Sequence, residues 1–275
     1  MLTASQIDRW LQEDIGHHDV TNDVAGETAG RLVAKEAGVA AGIKAATGVF
    51  DHLDVAVEQV VADGDAIDAG DIMLRTSGSA RETLRAERVA VNLAGHASGV
   101  ATKTRAAVDR AEEVSDDVRI AGTRKTTPGL RGIEKRAIAA GGGDTHRLDL
   151  SQMVMIKENH IAEMGLETAV ETFRERASFA TKIEVEAESP EQAQRAVTAG
   201  ADIVLLDNMT PEETENTVDA LDELGTDAIN VLTEASGGIT LDDVADYAAT
   251  GVDIISMGSL THSASSLDFS FRTGE

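Results

Sequence analysis

The sequence predicts an α/β protein whose second half is a parallel sheet or barrel. Three observations carry this. From Val118 onward, β-branched apolar runs alternate with amphipathic helical segments. The intervening helices carry explicit start and stop residues. Finally, the last five apolar runs carry a polar residue or a glycine at their carboxyl ends, spaced about one βα unit apart. The chain has 275 residues, enough to bury a sizeable core as one large or two moderate domains.

The first half has a different texture. MLTASQIDRWLQEDIG reads as an amphipathic helix without the apolar centre of a signal peptide, and EDIGHHDVTND follows as a turn-rich acidic stretch. From Thr28 to about Ala80 the pattern predicts short strands punctuated by glycine. Asp63, Asp65, Asp68 and Asp71 fail the spacing of an EF-hand and read as a solvated hairpin. Glu82 to about Glu113 predicts one long helix with apolar positions Leu84, Val89, Val91, Leu93 and Val100. Gly95 and Gly99 within it mark either close packing or a break.

In the second half the strands are VRIAG, MVMIK, KIEVEA, DIVLLD, INVLTEAS and DIISMG. Ser189-Pro190 opens a helix that Gly200 closes. Thr210-Pro211 opens the next, ending at Gly225, and Thr240 opens another, stopping at Gly251. Lys157, Glu186, Asp207, Ser236 and Gly258 fall at the strand ends, with spacings of 29, 21, 29 and 22 residues. Strand carboxyl ends converge on one face of an α/β barrel, so these five residues predict a single ring.

The formal net charge is -25, with acids spread along the whole chain and only 7 of 24 cations being lysine. That balance has two readings, an acidic interaction surface and, the one favoured, solubility in concentrated salt, where screening relieves carboxylate repulsion. It argues against generic nucleic-acid binding, which needs an extended cationic footprint. With no cysteine there is neither a disulfide framework nor a thiolate metal site, and no apolar run is long enough to span a bilayer. The expectation is a soluble, cytoplasmic protein.

Against that acidic background, residues 119–157 hold eight cations and three anions. Arg124, Lys125, Arg147 and Lys157, with His146 and His160, predict a pocket for an anionic ligand. Glu186 and Asp207 are hard oxygen donors suited to Mg²⁺ or to ribose hydroxyls. The turns Ser236-Gly237-Gly238 and Met257-Gly258-Ser259 offer backbone N–H groups to a monophosphate. Gly141-Gly142-Gly143 reads as an ordinary loop, and Lys135 and Arg136 as the coat of a helix. His160 and His262 stand between structural and functional roles. From residue chemistry alone, the prediction is a Mg²⁺-dependent enzyme acting on a phosphorylated polyanion.

TRKTTPGLR, GGGDTHR, IKENHI, IEVEAES, VLLDNMTPE, EASGGIT and DIISMGSLTHS, with EDIGHHDVT and AERVAVNLAGHASGVAT upstream, resemble the quinolinate phosphoribosyltransferase family. The resemblance runs through nearly the whole chain. It implies an N-terminal α/β sandwich over residues 1–110, rejoined by about 264–275, and an incomplete α/β barrel over 111–263. It implies a homodimer with the site shared between chains, and allows such dimers to assemble into hexamers. The implied reaction converts quinolinate and phosphoribosyl pyrophosphate to nicotinate mononucleotide, pyrophosphate and CO₂, with Mg²⁺. By residue, it implies that Arg124, His146 and Arg147 grip the quinolinate carboxylates, with Arg88 supplied across the dimer. Lys125 and Lys157 join Glu186 and Asp207 as the catalytic set, the two carboxylates engaging Mg²⁺ and ribose. Ser236, Gly237, Gly258 and Ser259 would hold the 5′-phosphate. The rival expectations are a related protein of molybdenum transport with another acceptor, and a catalytically silent barrel.

Overall fold

A computed structural model describes residues 2–225 and 231–274. The chain forms two compact units. The first comprises residues 1–105, 127–142 and 263–275, and the second residues 106–126 and 143–262. Residues 127–142 thus cluster with the first unit, unlike the unbroken 111–263 segment expected for the barrel. The reason is apolar burial, since Ile133, Ala137 and Ile138 from this segment sit in the core of the first unit.

The first unit opens with α1 (Ala4–Ile15), which buries Ile7 and Leu11. Its sheet has the order β12-β1-β5-β3, from β12 (Phe269–Thr273), β1 (Glu27–Ala34), β5 (Ile72–Ser79) and β3 (Ala56–Gln59). All the pairings are antiparallel, so the C-terminal residues complete this sheet. Strands alone do not describe residues 28–80. Ile43–His52 forms a helix, α2, which buries Ile43, Ala46, Val49 and Phe50 at helical spacing. The glycine-punctuated strand reading missed it because the segment is alanine-rich and short. The aspartates of the 63–71 loop serve the backbone: Asp63 accepts from the Ile43 N–H at 2.9 Å and Asp65 from Ala62 at 2.7 Å.

The long helix α3 (Ala80–Glu112) is unbroken. Close packing, not a break, explains its glycines. A Cβ on Gly99 would lie 1.9 Å from the Ser265 carbonyl oxygen, and one on Gly95 would lie 2.9 Å from that of Leu267. The Gly95 carbonyl also accepts the Leu267 N–H at 2.9 Å. Lys135, on α4 (Arg131–Ala140), is 1% exposed, so it does not coat that helix as expected. Its neighbour Glu134, equally buried, accepts from His96 Nε2 at 2.8 Å and from the Thr127 N–H at 3.0 Å.

In the second unit, six parallel strands have the order β6-β11-β10-β9-β8-β7. They are β6 (Arg119–Ala121), β7 (Val154–Ile156), β8 (Ile183–Ala187), β9 (Ile203–Asp207), β10 (Leu232–Ser236) and β11 (Ile254–Ser256). Every predicted run has its strand, although Ile229 and Asn230 of INVLTEAS lie outside the described residues. Among the described residues the end strands β6 and β7 do not pair, so the sheet stays open, with an isolated parallel bridge from Ala121 to Asp144. The predicted caps are made. Ser189 accepts from the Gln192 N–H ahead of α5 (Pro190–Thr198), and Thr210 and Glu213 form a reciprocal box opening α6 (Pro211–Asp222). Thr240 opens a 3₁₀ turn before the short helix Val244–Ala248, where one continuous helix was expected. No helix among the described residues is long and apolar enough to cross a membrane.

Candidate active site at the strand carboxyl ends

A cavity of about 290 Å³ lies at the carboxyl ends of the parallel strands. Its wall draws on Arg124 and Lys125 after β6, His146 and Arg147, Lys157 after β7, Asp207, Ser236 and Ser256. Residues that follow β6 and β7, the two ends of the sheet order, line one space, so the sheet curves around it. Four of the five strand-end residues are placed there or in contact with it. Lys157, Asp207 and Ser236 line it, and Glu186 bonds to Lys157 Nζ through Oε2.

The cations crowd together. Arg147 is 9% exposed and donates to the Met155 sulfur at 2.9 Å. Burial and the neighbouring Arg124 guanidinium lower its pKa. Arg124 Nε is buried with no hydrogen-bond partner. Two guanidiniums held near one another, one with an unsatisfied N–H, favour an anion between them.

Of the two predicted carboxylates, Asp207 lines the cavity and Glu186 reaches it through Lys157. Burial, and then the Glu186 carboxylate, raise the Asp207 pKa, with Lys157 and Lys125 opposing. Asp207 accepts from Asn208 Nδ2 at 2.7 Å. An aspartate whose charge is disfavoured by burial and by a neighbouring carboxylate suits a divalent cation. The glycine at 237 is required by shape: its φ is +107°, and a Cβ there would meet Asn208 Oδ1 at 2.4 Å. Gly258 lies against Lys125, whose Cδ a Cβ would approach at 2.9 Å. Ser259 begins a four-residue helix and donates from Oγ to the Ile239 carbonyl at 3.4 Å. Arg88 belongs to the first unit, on α3, where it lines a hollow with Trp10, Glu13 and Asp14. His160 acts as a structural acceptor, its Nδ1 receiving the Lys157 N–H at 3.1 Å, and His262 lies close to Gly258.

Sequence reasoning missed a lower tier. Met155, Glu184, Leu205, Glu234 and Ser256 each sit two residues before a ring member. Side chains at i and i+2 share a face of a strand, so they line the interior beneath the ring. The signal was present in the alternation of IEVEA and LTEAS. Glu184 and Glu234 are buried, and His146 Nε2 is 3.0 Å from Glu234 Oε2 and 3.7 Å from Glu184 Oε2. Burial, and then Glu234, push the Glu184 carboxyl far up, to about 9, against the pull of Arg147 and Lys157.

Residues 19–98 match the family model for the quinolinate phosphoribosyl transferase N-terminal domain, and residues 100–272 match that for its C-terminal domain. The chain belongs to the quinolinate phosphoribosyltransferase family. Among curated relatives of this phosphoribosyltransferase, the probable nicotinate-nucleotide pyrophosphorylase [carboxylating] of Methanothermobacter thermautotrophicus is 45% identical over 267 residues, covering 95% of each chain. The human nicotinate-nucleotide pyrophosphorylase [carboxylating] is 40% identical, covering 98% of this chain and 91% of its own. The crystal structure of NadC from Streptococcus pyogenes superimposes with a TM-score of 0.89 at 39% identity, covering 100% of this chain and 98% of that one. The phosphoribosyltransferase fold described above, a small sheet unit and a parallel-sheet α/β unit, is therefore that of its solved relatives.

Proposed function

We propose that this chain catalyses the phosphoribosyl transfer of NAD biosynthesis in which quinolinate and phosphoribosyl pyrophosphate yield nicotinate mononucleotide, pyrophosphate and CO₂. The observation that carries this reading is the pairing of Arg124 with the buried Arg147 in a cavity that also holds Asp207. A cationic pair beside carboxylates fits a small dicarboxylate meeting a sugar phosphate, and neither group alone asks for both.

Arg124, Arg147 and His146 bind the two carboxylates of quinolinate and aim its ring nitrogen at the anomeric carbon. Ser236, Gly237, Gly258 and Ser259 take the 5′-phosphate. Glu186 and Asp207 would hold Mg²⁺ with the ribose and diphosphate oxygens, where the ion would neutralise the leaving group. Lys125 and Lys157 add positive charge on the same side as pyrophosphate departs through an oxocarbenium-like state. The nitrogen lone pair forms the new C–N bond. The adjacent carboxylate then leaves as CO₂, its electron pair stays on the ring carbon beside the pyridinium, and a proton restores the C–H. Few base–nucleophile contacts are needed, which fits a site of clamps.

The enzyme works in the cytoplasm as a homodimer in which Arg88 of one copy reaches the cavity of the other. An assay with phosphoribosyl pyrophosphate, Mg²⁺ and high KCl, offering quinolinate or nicotinate separately, tests the reaction. Mononucleotide and CO₂ from quinolinate alone are expected. No product from either acid in folded protein would overturn the reading and favour a silent barrel.

A further inference from the structure

The proposed reaction gives Asp207 a cation to face, but it gives none to Glu234, which sits in the wall of the same cavity at 1% exposure. Its carboxylate would repel any acid bound there. Its oxygen is instead engaged by an imidazole: Glu234 Oε2 lies 3.0 Å from His146 Nε2. The second buried carboxylate, Glu184, faces the same nitrogen at 3.7 Å.

The backbone works to bring that imidazole in. His146 has a φ of +50°, in the left-handed region. Few non-glycine residues adopt that conformation, histidine more readily than most, and here the turn's own hydrogen bonds hold it. Its N–H donates to Asp144 Oδ1 at 2.6 Å, and Asp144 is itself tied to β6 through the Ile120 carbonyl at 2.8 Å and the Gly122 N–H at 2.9 Å. The turn therefore delivers the ring from the open edge of the sheet to Glu234, a residue 88 positions away in sequence.

We propose that Glu234 is a positioning residue: it accepts from Nε2–H of His146, which fixes one proton there and orients the ring so that Nδ1, taking a second proton from solvent as the acid binds, donates it as N–H to the carboxylate in the cavity. This rests on the proposed reaction, in which His146 meets a quinolinate carboxylate. Which ring nitrogen binds a ligand is set by the partner of the other. With Nε2–H committed to Glu234, Nδ1 is the atom left for a ligand in a space His146 lines, and it meets a carboxylate as the N–H of the doubly protonated ring. The same three groups have ligand atoms within 4.8 Å of one another, a spacing that could hold a metal ion. The positive charge of Arg147, which interacts with both Glu184 and Glu234, already balances the carboxylates and disfavours a second cation there.

Glu234→Gln retains an acceptor oxygen for Nε2–H, whereas Glu234→Ala retains none. In the full chain, Glu234→Ala should raise the KM for quinolinate by about tenfold or more, as loss of a functional histidine's outer partner does, with the KM for phosphoribosyl pyrophosphate nearly unchanged. Glu234→Gln should recover most of that loss. Nitrogen-15 NMR of the labelled histidines, with His146→Gln to assign the signal, should show one Nε2-protonated ring in the wild type and Glu234→Gln, and mixed tautomers in Glu234→Ala. An unchanged quinolinate KM, equal rises in both KM values, or an unaltered tautomer in a folded Glu234→Ala protein overturns the proposal. So does a stoichiometric bound metal that disappears with Glu234. If the wild type turns over no quinolinate, the proposed reaction fails, and the tautomer measurement alone decides the role of Glu234.

Discussion

Lys157 and Glu186, at the ends of the adjacent strands β7 and β8, are bonded through Nζ and Oε2. The lysine is half exposed at 47% while its partner is 10% exposed. The ammonium therefore shields a nearly buried carboxylate and remains within reach of a ligand. Lys157→Ala should lower kcat at least about 100-fold, the scale of losing one electrostatic stabiliser of a transition state. Lys157→Arg should restore little, because a planar fork does not replace a point charge. Steady-state rates alongside circular dichroism check both. Near-normal turnover in folded Lys157→Ala would remove the lysine from the chemistry.

Asp207 feels the Glu186 carboxylate from the neighbouring strand. A divalent cation would relieve that repulsion, so Asp207→Asn should raise the Mg²⁺ concentration for half-maximal rate by about tenfold or more. Chelation should abolish wild-type activity. A magnesium titration of both proteins reads this directly, and identical curves would exclude Asp207 as a ligand.

Glu184 has its carboxyl raised to about 9 by burial and by Glu234. The folded chain then holds a proton that the unfolded chain releases near pH 4.5. A raised pKa means stability that is complete below about pH 4.5 and is lost as the pH climbs through about 9. Glu184→Gln, isosteric and neutral, should flatten this term: its melting temperature should gain on the wild type between pH 6 and about 9. Thermal melts across that range, at constant salt, provide the check. Parallel curves for the two proteins would mean that Glu184 is ionised in the fold.

Arg88 and Arg147 lie in different units of the chain, on α3 and beside the barrel cavity. If one copy lends Arg88 to another, Arg88→Ala and Arg147→Ala should each be inactive. Co-expressed, they should regain about a quarter of wild-type activity, because half the dimers are mixed and each holds one intact site. Activity that stays at background in purified mixed dimers would refute the sharing.

Gly99 touches the Ser265 carbonyl with no room for a methyl group. Gly99→Ala should cost about 1–3 kcal/mol through forced backbone movement, lowering Tm by several degrees. Differential scanning calorimetry tests it, and an unchanged Tm would show that the 263–267 segment yields freely.

The legible features were those that neighbouring residues write for themselves. Ser189-Pro190 and Thr210-Pro211 announced helix starts because a cap is a bond across three residues. The β-branched runs announced the strands, and their polar ends placed Lys157, Asp207 and Ser236 around one cavity. Period-two alternation also held the lower tier of Glu184 and Glu234, although their acidity disguised them as solvent-facing. Helix α2 escaped although Ile43, Ala46, Val49 and Phe50 stand at helical spacing, because the segment is short and lies among glycine-punctuated strands.

By itself, then, the sequence determined the parallel-sheet architecture, the strand-end ring and the family to which the chain is similar. Only the tertiary structure decided which charges meet. The strand order β6-β11-β10-β9-β8-β7 sets His146 against Glu234 and Arg147 near Arg124, and it folds Lys157 onto Glu186. It also fell to the tertiary structure to bury Lys135 and Glu134 in the first unit, against the expectation for a surface helix. The physical reason is that helical caps and strand periodicity are local interactions. The fate of a charge depends instead on desolvation and on partners that the crossover connections bring from far along the chain.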